Sequence, residues 1–369
     1  MPAARVARAL LPLFALSVAP TMHAQVAVPE RAIDSLMARY AQPDGPGASL
    51  LVVRDGRIVL AKGYGLANVE RHEPVTPVTD FRLASLSKQF TATAIMLLVA
   101  DGKLHYDDSI STLVAGLPAF ARGVTVRHLL NHTSGLPAYE DFVPDSQTAQ
   151  VHDADVPALI SHASGLKFAP GTRHDYSNTG YCLLALVVEH VTGQHFADVL
   201  RQRIFTPLGM TNTMAREEHT VVPHRAYGYT VRPTGVRLTD QSNTSATLGD
   251  GGIYSNVMDL AKWDRALAQH TLVSADAQRL AWTPPTLPDT AVTEYGFGWF
   301  VDRARGTMRL WHYGESRGFT NAILRYPERR FTVVILTNRT GGTPWDIAEQ
   351  VADLYLPPAN GVATTPRRP

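Results

Sequence analysis

Apolar side chains recur along this chain with two different periods, and the switches between them outline its elements. From Glu30 to Ala41, Ile33, Leu36, Met37 and Tyr40 fall on one face of a helix. The next run, Ala48 to Val53, leads to Asp55-Gly56 and then Ile58-Val59-Leu60. An Asp-Gly pair between two apolar runs marks a β-hairpin. Helical spacing returns from Ser85 to Ala100 through Leu86, Phe90, Ile95, Leu97 and Leu98, with Gly102 as the stop signal. Shorter helices are expected over Val126–Asn131, Val156–Ala163, Asn178–Val191 and Val257–Gln269. Strand character then reappears over Tyr295–Asp302, Met308–His312, Thr320–Tyr326 and Phe331–Thr337, with turns at Arg305-Gly306 and Glu328-Arg329. A last helix is expected over Trp345–Leu354.

Strands thus come first and last, and helices fill the middle. The economical arrangement is an α+β fold: one antiparallel sheet built from both chain ends, flanked by helices, with a mainly helical lobe inserted. A single two-lobed domain over residues 30–345 follows, with a sheet lobe of about 25–82 plus 225–356 and a helical lobe of about 83–224. The cleft between the lobes is where a site is expected.

Composition changes this picture only at the ends. The chain has 369 residues, 45% hydrophobic and 18% charged, enough apolar material for a sizeable core. Residues 1–24 combine Arg5 and Arg8, an apolar run from Ala9 to Ala19 and a small-residue exit at Ala24, the pattern of a secretory signal peptide. Its removal takes two arginines and no acid from 34 basic and 33 acidic residues, leaving a nearly neutral chain with no sign of a nucleic-acid or acidic-membrane partner. No stable membrane span is expected after cleavage, and the compartment is periplasmic or extracellular. The single cysteine, Cys182, lies in an apolar helical run and reads as a buried structural thiol. Residues 357–369, rich in Pro, Thr and Arg, read as a flexible tail. The pattern carries no information on oligomeric state.

Candidate chemistry concentrates on Ser-x-x-Lys pairs. On a helix this spacing puts both side chains on one face, within reach of proton transfer from hydroxyl to amine. Two pairs exist, Ser85–Lys88 and Ser164–Lys167. The second holds Gly165 and runs into Pro170-Gly171, so it belongs to a helix end, whereas the first opens the strongest helix. Tyr-x-Asn occurs twice as well, at Tyr176–Asn178 and Tyr254–Asn256, and spacing alone does not separate them. His128 and His132 stand four apart without an evident third metal ligand, and no metal or cofactor is expected. Gly249-Asp250-Gly251-Gly252 reads as a flexible turn.

In order, these segments resemble the serine β-lactamase and penicillin-recognising superfamily, particularly class C β-lactamases and related esterases and D-amino-acid peptidases. Leu83–Ala92 is similar to the family's nucleophile segment, Arg127–Pro137 to its helix-to-turn segment, and Tyr176-Ser177-Asn178 to its second motif. Gly251–Asn256 resembles a different family segment, which favours Tyr176 over Tyr254. His312-Tyr313-Gly314 matches the third motif in the form that carries His in place of Lys.

The resemblance implies a β-lactamase/transpeptidase-like fold and an acyl-serine hydrolase of esters or amides, with a small-molecule or short-peptide substrate. β-Lactamase action and a non-turning-over penicillin or peptidoglycan receptor are its alternatives. It implies Ser85 as nucleophile, Lys88 and Tyr176 as base and proton shuttle, and Asn178 as an orienting amide. His312 would line the opposite wall beside Gly314, and the backbone N–H groups of Ser85 and Glu315 would face the oxyanion. The family commonly has small or uncharged residues where this chain has Glu315-Ser316-Arg317. An inward Glu315 would disfavour anionic substrates; an outward one paired with Arg317 would have no such effect.

Overall fold

The computed structural model describes residue 1 and residues 29–356. The expected signal peptide and the tail at 357–369 lie outside the described residues. Six strands form the main sheet: β1 (Ala48–Arg54), β2 (Arg57–Tyr64), β3 (Phe300–Ala304), β4 (Thr307–Ser316), β5 (Phe319–Tyr326) and β6 (Phe331–Thr337). Their spatial order is β3-β4-β5-β6-β1-β2 and every pairing is antiparallel. The first hairpin therefore joins the C-terminal strands through β1 and β6.

Both faces of this sheet are covered, which explains the unbroken apolar run at Ala48–Val53. Successive side chains on a strand point to opposite faces. Leu50 and Val52 of β1, with Val333 and Ile335 of β6, pack under the terminal helices α1 (Glu30–Met37) and, at the other chain end, Pro344–Tyr355. Leu51, Val53, Val334 and Leu336 point the other way, into the larger core shared with the inserted helices.

Two of those helices frame the site, α2 (Lys88–Ala100) and α3 (Asn178–Thr192). From Lys88 to Leu98 every residue of α2 is buried, so this helix runs through the core with no polar face. Gly102 follows it at φ +69°, a conformation that favours glycine at a helix end. Among the described residues, no helix is long and apolar enough to cross a membrane.

Three expectations need correction. The strand placed at Tyr295–Asp302 starts only at Phe300. Before it, Gly296 and Gly298 pass so close to the Ala281 and Lys88 carbonyls that a Cβ would lie 2.0 and 2.8 Å from them, and the chain bends there. Gly249–Gly252 is not a flexible turn: Leu248–Gly251 is a short helix whose first N–H groups are held by the Asp153 carboxylate, at 2.7 and 3.1 Å. Finally, Ser85 precedes the α-helix, in a 3₁₀ turn over Ala84–Ser87, and α2 begins at Lys88.

Candidate active site

The 3₁₀ turn is held from both sides. Leu83 N–H donates to the Ile253 carbonyl (2.8 Å), and Asn321 of β5 donates to the Arg82 and Leu83 carbonyls (2.9 and 3.2 Å). Gly314 of β4 lies against the same turn, where a Cβ would sit 2.3 Å from the Leu83 carbonyl oxygen. Ala84 adopts φ +50°, a conformation rare for residues with a side chain, immediately before Ser85. The surrounding bonds hold this strained turn and present Ser85 at the cleft.

Lys88 is fully buried beneath it. Its Nζ lies 3.1 Å from Ser85 Oγ, 2.8 Å from Asn178 Oδ1 and 2.9 Å from the Asp250 carbonyl oxygen. An ammonium donates to all three. A neutral amine has two hydrogens, which suffice for Asn178 and Asp250, and leaves its lone pair for the Ser85 hydroxyl proton. Burial lowers the Lys88 pKa, against the opposing pull of Asp250, Cys182 and Glu140, and so favours that neutral form.

Tyr176 and Asn178 flank the start of α3, where the Ser177 hydroxyl caps the helix by accepting from Gly180 N–H (3.4 Å). The Lys88 Nζ sits 4.9 Å from the Tyr176 ring centroid. The Tyr176 hydroxyl is buried and makes no well-formed hydrogen bond, although Ser85 is near enough to favour its ionised form. Burial outweighs that influence and holds its pKa above the usual phenol value, so Tyr176 is a neutral phenol. Asn178 uses its Oδ1 for Lys88 and its Nδ2 for Glu140 Oε1 (2.7 Å), which fixes its amide orientation.

His312 does not line the opposite wall. It is 0% exposed, with Nε2 2.9 Å from the Tyr295 hydroxyl and Nδ1 2.6 Å from the Tyr313 carbonyl oxygen. A carbonyl only accepts, so Nδ1 carries the proton and Nε2 accepts from Tyr295. Burial and the nearby Lys88 charge push its pKa down to about 3, and the ring is neutral. Gly314 likewise packs on the Ala84–Ser87 turn. Glu315, by contrast, lines the same cleft as Ser85, and no Glu315–Arg317 ion pair forms among the described residues.

That cleft encloses about 160 Å³ and is bordered by Ser85, Tyr139, Glu140, Asn178, Asp250 and Glu315, with the buried Arg82 and the exposed Arg317 also in its lining. A larger cavity of about 650 Å³ lies elsewhere, against Asp55, Asp264, Trp282 and Arg325, and contains no nucleophile–base pair. Chemistry, rather than volume, marks the smaller cleft. Glu140 and Asp250 are the residues that sequence reasoning missed. Burial raises both carboxyl pKa values, and each has one buried oxygen, Glu140 Oε2 and Asp250 Oδ1, without a hydrogen-bond partner.

The competing motifs have other places. Tyr254 is buried in a short strand, and Asn256 caps helix Val257–Gln269 while donating to Asp80. Lys167 pairs with Asp175 at 2.8 Å. His128 closes a capping box with Thr125 at the start of helix Val126–Leu130. Cys182 is fully buried.

The antiparallel sheet built from both ends of the chain, flanked by helices and interrupted by a helical lobe, is a penicillin-recognising type of fold. The chain belongs to the beta-lactamase family, whose model matches residues 30–356. It is 34% identical over 316 residues to penicillin-binding protein 4* of Bacillus subtilis, covering 81% of this chain and 70% of that protein. It is 29% identical to a D-aminopeptidase of Gluconobacter oxydans, across 92% of this chain but only 63% of the relative. A D-amino acid amidase from Ochrobactrum anthropi SV3 superimposes with a TM-score of 0.74 at 28% identity, covering 88% of this chain and 99% of that one.

Proposed function

We propose that this chain is an exported serine hydrolase that opens amide or ester bonds through an acyl-serine at Ser85. Its preferred substrates are D-amino-acid amides, esters or short peptides with a free amino group. The observation that carries the reading is the contact of Lys88 Nζ with Ser85 Oγ at 3.1 Å, in a setting that disfavours the ammonium. Ser85 Oγ bonds to the substrate carbonyl carbon while its proton passes to Lys88. Tyr176, a phenol beside both, relays a proton to the departing amine or alcohol. Water then cleaves the acyl-serine, releasing the acid and restoring the Ser85 hydroxyl.

The substrate class rests on charge as well as on kinship. Glu140 and Asp250 offer unpartnered carboxylate oxygens, and Glu315 adds a third acid on the cleft wall. A substrate ammonium supplies the donors these oxygens lack. Two of the relatives, a D-aminopeptidase and a D-amino acid amidase, are in keeping with an amine-bearing substrate.

The test is labelling with a fluorophosphonate beside a Ser85→Ala control, followed by turnover of D-amino-acid amides, their N-acetyl counterparts, short acyl esters and a chromogenic cephalosporin. Labelling confined to the Ser85 chain and faster turnover of free-amine substrates are expected. Equal labelling of Ser85→Ala overturns the nucleophile. Preference for the N-acetyl compounds overturns the substrate class, and a stable adduct without product release identifies a receptor.

A further inference from the structure

His132 follows helix Val126–Leu130 by two residues and is buried with its backbone at φ +58°. From there it holds the segment that carries Tyr176 at two points. Its carbonyl accepts from Asp175 N–H (2.9 Å), and its ring Nδ1 accepts from Ser177 N–H (3.1 Å). The backbone immediately before and after Tyr176 is therefore tied to one residue. The ring itself lies on Tyr176, with centroids 4.3 Å apart at 40°, and is flanked by Tyr295 at 4.3 Å and Tyr181 at 5.1 Å.

We propose that His132 is a positioning residue, a clamp that sets the Tyr176 hydroxyl against Ser85. The proposal rests on the reading of Ser85 as nucleophile and Tyr176 as its proton partner. Tyr176 needs such a device because its own hydroxyl has no well-formed hydrogen bond to hold it, and its position must come from the ring and the backbone. An Nδ1 that accepts from a backbone N–H carries no proton, so the clamp works only with a neutral imidazole. Burial chiefly keeps this ring neutral, with Lys88, His174 and His312 acting the same way, and Tyr176, Tyr181 and Tyr295 face it as neutral phenols. Protonation would cost the Ser177 bond and leave a charge buried beside Lys88.

Two amide substitutions separate a clamp from a core filler. His132→Asn keeps an acceptor at the Nδ1 position, and asparagine tolerates positive φ. His132→Gln carries its amide one bond further out and misses the Ser177 N–H. In the full chain, His132→Gln should slow fluorophosphonate phosphonylation of Ser85, with fluoride as the leaving group, about 10–100-fold, as expected for a buried hydrogen bond lost from a positioned group, and His132→Asn less than about fivefold. Adding His132→Gln to Tyr176→Phe should bring no further loss, because a residue acting through Tyr176 has nothing left to position. Amide exchange at Ser177, read by mass spectrometry, should speed up in His132→Gln and not in His132→Asn.

Losses that multiply in the double variant, or His132→Asn no better than His132→Gln, overturn the proposal. If His132→Gln fails to fold, a His132→Asn chain that folds but takes the fluorophosphonate label as slowly as Tyr176→Phe does the same. A wild-type chain that takes no label sinks the assignment of Ser85, while unchanged Ser177 exchange in His132→Gln sinks the clamp alone.

Discussion

Two of the protein's clusters of buried charge are treated differently. Behind the sheet, Arg305 and Arg309 meet Glu349 of the C-terminal helix, with Asp302 and Asp353 at the edges. Arg305 donates to Glu349 Oε2 (2.7 Å), the Glu349 carbonyl (3.0 Å) and Asp353 Oδ1 (2.7 Å), and Arg309 bonds the other Glu349 oxygen and Asp302. Both Glu349 oxygens are engaged. In the cleft, Lys88 and Glu140 share Asn178 and Lys88 also donates to the Asp250 carbonyl, yet among the described residues two carboxylate oxygens and the Tyr176 hydroxyl have no well-formed hydrogen bond. A fully paired network serves the fold, whereas unpaired buried polar atoms reserve their bonds for something else.

Deleting the central member of either cluster should therefore produce opposite phenotypes. Ser85→Ala or Lys88→Met should lower kcat/KM by roughly 10⁴-fold or more, the scale on which a nucleophile or its base acts. Thermal unfolding of Lys88→Met should shift little or upward, since a buried cation is replaced by an apolar chain of similar length. The wild-type rate should rise with pH as Lys88 loses its proton, with a midpoint below the usual lysine value of 10.5. Steady-state kinetics and differential scanning calorimetry read both halves. A Lys88→Met chain that unfolds before it can be assayed would make the cleft cluster structural and erase the contrast.

The second network predicts the reverse. Glu349→Ala leaves Arg305 and Arg309, both almost wholly buried, without their common partner, and should destabilise the protein by about 3–5 kcal/mol. At a temperature where the variant is folded, kcat/KM should stay within about twofold of wild type, since additivity holds for distant sites. Chemical denaturation with activity measured on the folded chain checks it.

Glu140→Gln sharpens the comparison within the cleft. It keeps a hydrogen-bond acceptor for Asn178 Nδ2 but removes the charge offered to a substrate amine, so free-amine substrates should lose roughly 10-fold and N-acetyl substrates much less. Stability moves the other way. Burial raises the Glu140 pKa, so the folded state favours the protonated acid, and its contribution is full at low pH and fades as pH rises through the folded-state value. Wild type should therefore lose more melting temperature than Glu140→Gln on going from acid to neutral pH.

How much of this the sequence carries depends on whether a feature is local. The hairpin at Asp55-Gly56, the burial of Cys182 and the antiparallel sheet from both chain ends are written in periodicity and turn residues. Ser85 and Lys88 stand three residues apart, so a local pattern brings them into view. Glu140 and Asp250 lie 52 and 162 positions from Lys88 and carry no motif that marks an acid as buried; only the packing of the helical lobe brings them together. His312 misleads for a related reason. Its place in β4 is legible, but its burial depends on Tyr295, held by a glycine-punctuated bend that reads as strand. The 3₁₀ turn at Ser85 is hidden likewise, because it is enforced by contacts from β4 and β5 rather than by its own residues.

Glu315 offers the finest test of the difference between the two charged regions. It lines the Ser85 cleft yet stays largely exposed, so water screens it and its influence on a bound anion is modest. Glu315→Gln should raise kcat/KM for substrates bearing a carboxylate about two- to fivefold and leave uncharged esters unchanged, a shift on the scale of exposed charge pairs. The gain should shrink in added salt, because a screened interaction weakens further with ionic strength. Replacing an edge acid of the other network, Asp353→Asn, should leave that substrate ratio unmoved and alter stability alone, since Asp353 bonds only Arg305 among the described residues. If both substitutions shift the ratio equally, Glu315 acts through the overall charge of the protein and not through its place at the cleft.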